Sequence, residues 1–166
     1  NDGYVTLLNQ GGMILKNTTS DEYSFSVVIS TQAQSDTRPV FFFDYNDIND
    51  NLEKGEGFAI LFNRQNAFVR IFKITNGTSY SNSTTYYYSS SGVIPTVSQD
   101  STWYANQHRF TFEISRVNST KKQISIYIDG EFLRTFEYNK TLASETVYYG
   151  PNVRGNGSEI YIHEFD

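Results

Sequence analysis

From Arg109 to Phe136 apolar and polar residues alternate through three consecutive runs. Phe110, Phe112 and Ile114 are interleaved with Thr111, Glu113 and Ser115, and after a polar break Ile124, Ile126 and Ile128 are interleaved with Ser125, Tyr127 and Asp129. A repeat of two puts every second side chain on one side, the signature of a strand with one dry face. Asp129-Gly130 separates the second run from the third, and such a pair supplies the positive φ angles of a tight hairpin turn. The three runs therefore read as a meander with its apolar face on a core.

The same pattern extends in both directions. Val5 to Leu8 and Met13 to Leu15 flank Gly11-Gly12, which suits a first strand with a bulge or a small hairpin, so residues 1–20 read as an extended N-terminal strand segment with a polar turn at Asn17 to Asp21. Phe25, Val27 and Ile29 mark a one-sided strand over Tyr23 to Ser30. Ser30 to Arg38 has no apolar period and ends at Pro39, a loop. Val40 to Phe43 is a continuous apolar run, which predicts cover on both faces. Asp44 to Gly57, DYNDINDNLEKGEG, reads as a long acidic loop. Phe58 to Asn63 and Ala67 to Lys73 form a hairpin, and Thr75 to Ser101 is an irregular excursion with one strand through Tyr86-Tyr87-Tyr88. Thr146 to Tyr149 and Glu159 to His163 close the series. There is no helix of useful length and no internal repeat. Roughly eleven short strands spaced by turns predict an all-β chain, a two-sheet antiparallel jelly-roll sandwich forming one domain over residues 1–166.

Composition narrows the function. A chain of 166 residues can bury roughly two-thirds of its unfolded surface, so it needs no accessory staple. With no cysteine it has no disulfide, thiolate metal site or cysteine nucleophile. Net charge is -5 and the 13 basic residues are scattered, which speaks against nucleic acid. No run approaches the ~18 apolar residues of a membrane span, and no signal peptide is evident, so the chain is either cytosolic or has lost a targeting segment. Glycosylation sequons begin at Asn17, Asn76, Asn82, Asn118, Asn139 and Asn156, each where the strand pattern breaks or frays. Chance in a chain rich in Asn, Ser and Thr is the plain alternative; the placement favours an extracellular or cell-surface glycoprotein.

A set of short motifs then becomes informative through its order. Gly57 to Phe62 (GFAILF), Trp103 shortly before His108-Arg109-Phe110-Thr111, Ile124 to Gly130 (ISIYIDG), and Tyr149-Gly150 followed by Ile160-Tyr161-Ile162 together resemble the concanavalin A-like lectin/glucanase jelly roll, in its laminin G-like or pentraxin-like branch. The resemblance covers most of the chain from Tyr23 onward. It implies two antiparallel sheets of about a dozen strands with loops gathered at one rim. It also implies an extracellular role, in carbohydrate binding or cell adhesion, often through calcium. Glycoside hydrolases that resemble this fold carry Glu-X-Asp-X-Glu on a strand, which sets an acid and a nucleophile on one face. The nearest approaches here are Glu113 in FEIS and Glu159 with Glu164 in EIYIHEF, and neither completes that set. His108 and His163 are the only histidines, too few for a histidine-rich zinc site.

Two further groupings could bind a ligand. Asp44, Asn46, Asp47, Asn49 and Asp50, with Glu53 beyond them, gather hard oxygens of the kind calcium accepts, although Leu52 stands where a calcium loop of the EF-hand type needs glycine. The plain reading is a solvated acidic turn. Tyr86, Tyr87, Tyr88, Trp103 and Tyr104 could stack on sugar rings, flanked by Asn152 and Arg154; alternatively Trp103 and every second tyrosine are core. The function these observations favour is a non-enzymatic extracellular recognition module, a lectin binding a glycan or a surface partner through rim loops. The alternatives are a glycosylated structural subunit of a cell-surface filament or layer, assembled by strand addition through a segment such as Val5 to Leu8, and a glycoside hydrolase.

Overall fold

The computed structural model of the protein describes residues 3–8, 13–31, 38–48, 51–63, 68–74, 84–88, 101–154 and 159–166. Its strands are β1 (Val5–Leu8), β2 (Lys16–Thr18), β3 (Tyr23–Thr31), β4 (Arg38–Ile48), β5 (Asn51–Asn63), β6 (Phe68–Ile74) and β7 (Thr84–Tyr88), then, after a short helix α1 (Ser101–Ala105), β8 (His108–Asn118), β9 (Lys121–Ile128), β10 (Glu131–Asn139), β11 (Val147–Arg154) and β12 (Glu159–Phe165). They form two antiparallel sheets. Sheet 1 runs β1-β12-β3-β8-β9-β10 and sheet 2 runs β2-β11-β4-β5-β6-β7. This is the two-sheet jelly-roll sandwich that the alternation predicts.

The meander is β8-β9-β10, with Phe112 opposite Ile126 and Ile124 opposite Phe136. Its tight turn uses the expected pair, Asp129 at φ 52° and Gly130 at φ 83°. The dry face supplied by Phe110, Phe112, Ile114, Ile124 and Ile126 meets Phe41, Phe43, Phe58, Ile60 and Phe62 of sheet 2 to form the main core. Ring centroids of Phe41 lie 5.2 Å from Phe110 and 4.8 Å from Phe112, so tilted aromatic pairs knit the two layers.

Sheet 2 is dry on its other face as well. Val40, Phe42, Ala59, Leu61, Phe72 and Ile74 are buried there, with Met13, Leu15 and Tyr148 packed against them. The unbroken apolar run at Val40 to Phe43 is thus explained: successive residues face two different cores.

Two expectations need correction. Asp44 to Gly57 is not a long loop, because β4 continues to Ile48 and β5 begins at Asn51, with Asn46 opposite Glu56 and Ile48 opposite Asn51. The backbone of this polar stretch is satisfied in the ladder between the two strands. Asn17 to Asp21 is not simply a turn, since Lys16–Thr18 pairs with β11. The expected strand through Tyr86-Tyr87-Tyr88 is present as β7, with Tyr88 opposite Arg70.

Candidate functional site

The site grows from an irregularity in β4. Register slips between Phe43 and Asn46, and Asp44 takes φ 44°. An extra residue of this kind turns its side chain off the strand's alternation. Phe43 already faces the core, and the bulge sends the Asp44 carboxylate inward too, where it is 1% exposed. Gly57 makes room for the detour, because its neighbours there are the Asp44 carbonyl and the Tyr45 backbone.

The buried carboxylate is fully engaged by sheet 1. Lys122 Nζ of β9 lies 3.0 Å from Oδ1 and 2.9 Å from Oδ2. Tyr23 Oη donates to Oδ1 at 2.9 Å, and Tyr138 Oη donates to Oδ2 at 2.6 Å. The Asp44 backbone N–H in turn donates to Tyr23 Oη at 2.7 Å. Beyond Lys122, Asp21 stands 3.7 Å from the ammonium and accepts from Arg116 Nε at 2.5 Å and Nη2 at 2.9 Å. Arg116 also caps the carbonyls of Asn118 and Lys140. Hydrogen bonds from Arg116 hold the Asp21 carboxyl below its ordinary range. Burial, then the charge of Asp44, pushes the hydroxyls of Tyr23 and Tyr138 well above theirs, so both remain donors.

Above this network a cleft of about 380 Å³ opens at the end of the sandwich. Asn46, Glu56, Phe58 and Lys73 of sheet 2 form one wall, and Asn139, Lys140, Thr141 and Glu145, at the end of β10 and just beyond it, form the other. Three of its polar side chains brace one another: Asn46 Nδ2 donates to Glu145 Oε2 at 2.7 Å, and Lys140 Nζ pairs with Glu145 Oε1 at 2.5 Å. Groups fixed in this way present donors and acceptors without first having to be ordered.

Of the residues singled out from sequence as a ligand platform, those with described side chains lie apart. Tyr104 is 3% exposed in the main core and offers no ring to a ligand, a correction that follows from α1 laying it against β3. Trp103 is half-buried, its indole stacked on His108 with centroids 3.7 Å apart and planes 13° from parallel. His108 is fixed further by Asp129, 2.6 Å from Nδ1, and by the Trp103 carbonyl, 2.8 Å from Nε2. Asn152 is buried on the outer face of sheet 2, beside Met13 rather than on a rim. The side chains of Tyr86, Tyr87, Tyr88 and Arg154 lie outside the described residues.

Two members of the acidic grouping are engaged by other partners. Asp44 is committed to Lys122, and Asn46 to Glu145. The side chain of Asp47, and Asn49 and Asp50 entirely, lie outside the described residues. Among the described residues no cluster of three acidic, His or Cys side chains could hold a metal ion. Sequons at Asn17, Asn118 and Asn139 are exposed, and Asn118 Oδ1 accepts from Thr120 N at 2.9 Å and Thr120 Oγ1 at 3.1 Å; Asn76, Asn82 and Asn156 fall outside the described residues. Glu113 is exposed beside Tyr127 Oη, Glu159 accepts from Tyr161, and Glu164 pairs with Arg109. His163 Nε2 lies 2.7 Å from Ser30 Oγ.

Sequence reasoning missed Lys122, Tyr138, Arg116, Lys73 and Glu145. For Lys122 a signal existed: it stands two residues before Ile124 and so on the inward side of the Ile124, Ile126 alternation, where a cation needs a buried partner.

The sequence matches no protein-family profile and no curated protein. Solved structures do resemble the fold. Sheep galectin-11 in complex with glycerol superposes with a TM-score of 0.59 at 8% identity, covering 93% of this chain and 96% of that one. The potassium-bound carbohydrate recognition domain of Emp46p gives 0.60 at 8% identity, covering 99% of this chain and 82% of that one. A family 16 glycoside hydrolase, an endo-glucanase from Bacteroides ovatus, gives 0.56 at 15% identity, covering 98% and 79%. With strand order, two dry layers and these likenesses in agreement, the chain has the concanavalin A-like lectin/glucanase fold.

Proposed function

We propose that the protein is a non-enzymatic extracellular recognition module that binds a glycan in the cleft between Lys73 and Glu145. The observation that carries this reading is the cleft itself, about 380 Å³ with polar walls, on a fold shared with the carbohydrate recognition domain of Emp46p. That volume suits one or two sugar rings. Sugar hydroxyls both donate and accept, and the walls supply matching partners in the ammonium of Lys73, the carboxylate of Glu56 and the amides of Asn46 and Asn139. Glycosidic hydrolysis needs two available carboxyl groups, one acid and one base or nucleophile. Both Glu145 oxygens are already engaged by Asn46 and Lys140, which supports recognition over turnover. A glycan-array screen followed by calorimetry on the best ligand tests the reading: Lys73→Ala and Glu56→Ala should each weaken binding at least tenfold. Binding indifferent to both changes, or hydrolysis of the ligand, would overturn it.

A second reading, a structural subunit joined by strand addition, is favoured by exposed apolar side chains on the two outer strands of sheet 1, Val5 at 51% and Phe132 at 60%. Light scattering across a concentration series separates the two, since an assembling subunit grows with concentration and Phe132→Lys abolishes the growth.

A further inference from the structure

We propose that Asp44 and Lys122 join covalently, forming an amide between the Asp44 side-chain carbonyl carbon and Lys122 Nζ that staples sheet 2 to sheet 1. The proposal concerns the interior of the sandwich and does not depend on the cleft or its ligand. Four observations meet here. The amine nitrogen is held 2.9 Å and 3.0 Å from the two carboxylate oxygens, which keeps it against the carbon between them. Contact at this range, fixed in orientation, is the near-attack condition under which a sluggish bimolecular reaction becomes an intramolecular one.

Both partners are sealed, at 1% exposure each, so bulk water neither solvates the charges nor returns to hydrolyse the product. A hydroxyl is aimed at each carboxyl oxygen, Tyr23 at one and Tyr138 at the other, where negative charge gathers as nitrogen adds to carbon. Finally Asp21, kept ionised by Arg116, lies 3.7 Å from Nζ and is the neighbouring acceptor for a proton shed by the attacking amine.

The balance needs no other reagent. Proton transfer within the pair converts ammonium and carboxylate into amine and acid. Nitrogen then attacks the carbonyl carbon to form the C–N bond, Asp21 relays the amine proton to the departing hydroxyl, and the C–O bond breaks with release of one water. Nothing is oxidised or reduced, and two buried charges become one neutral amide. In a chain without cysteine, the bond would close a loop between residues 78 apart and take the place of a disulfide.

Intact mass of the protein from a bacterial host, measured after denaturation, reads the reaction directly. The wild-type chain should be lighter than its sequence by one water, and digestion should yield a branched peptide joining the segments of Asp44 and Lys122. Lys122→Arg should carry its full sequence mass, and Asp21→Ala should slow the mass loss in freshly made protein. A wild-type chain at full mass without the branched peptide overturns the proposal. So does a loss of water that persists in Lys122→Arg, since it would place the dehydration elsewhere, as at Asp129-Gly130. Because Lys122→Arg alters a buried site, the branched peptide from the wild-type chain is the measurement that stands whatever the variant's fold.

Discussion

Gly57 lies so close to the backbone of Asp44 that a Cβ added to it would sit 2.6 Å from the Asp44 carbonyl oxygen and 2.5 Å from Tyr45 Cα. The obstruction is main chain, which cannot rotate away as a side chain could. Gly57→Ala should therefore push the bulge of β4 outward and destabilise the fold by about 1–3 kcal/mol, the usual cost of overpacking. Urea unfolding measures it, and a midpoint equal to the wild type would show that the bulge has slack.

The tyrosines that grip Asp44 predict an alkaline limit to stability. Burial above all, and the Asp44 carboxylate for as long as it is unreacted, raise the hydroxyls of Tyr23 and Tyr138 well above their ordinary value of 10.0. Their contribution is whole below that value. It is lost as pH rises beyond it, because the unfolded chain ionises there while the folded chain cannot. Ultraviolet titration of tyrosine should show these two rings ionising only as the protein unfolds, and Tyr23→Phe or Tyr138→Phe should flatten the fall in stability above pH 10. Ionisation of every tyrosine in still-folded protein would contradict this.

At the acid end Asp21 governs. Hydrogen bonds from Arg116 lower its carboxyl below 3.8, so its stabilisation is present above the unfolded value and disappears as pH falls through the folded one. Arg116→Met should cost stability at neutral pH, and the gap between variant and wild type should narrow below pH 3.8. Thermal unfolding at several acidic pH values reads it; a gap independent of pH would mean that Arg116 acts through the carbonyls of Asn118 and Lys140 alone.

A glycan attached at Asn139 would stand in the wall of the cleft. In a host that modifies this sequon, the wild-type protein should lose affinity for a sugar probe, and Asn139→Gln should bind as well as unmodified protein from a bacterial host. Equal binding by the modified protein would place the ligand elsewhere.

The sheets were legible because their information is local. Ile124, Ile126 and Ile128 announce a strand by period alone, and Asp129-Gly130 announces the turn after it, with no knowledge of partners required. Asp44 to Gly57 misled for the opposite reason. Its acidic and amide side chains look like a solvated loop, yet register with β4 carries the backbone as strand through the polar stretch. The site was harder still. Asp44 and Lys122 are 78 residues apart, and nothing near either names the other; only the crossing of two sheets brings them together. Tyr104 was misread because a ring beside Trp103 suits a ligand platform and a core equally well, and α1 decides between them.

In sheet 1, β12 is threaded between β1 and β3. During synthesis from the amino end, Val5–Leu8 and the near side of Tyr23–Thr31 must therefore wait with open edges until Glu159–Phe165 leaves the ribosome. The meander β8-β9-β10, whose neighbours follow one another directly, can settle long before, so a nascent chain halted just short of β12 should hold a formed hairpin pair beside two strands still exposed to any passing edge.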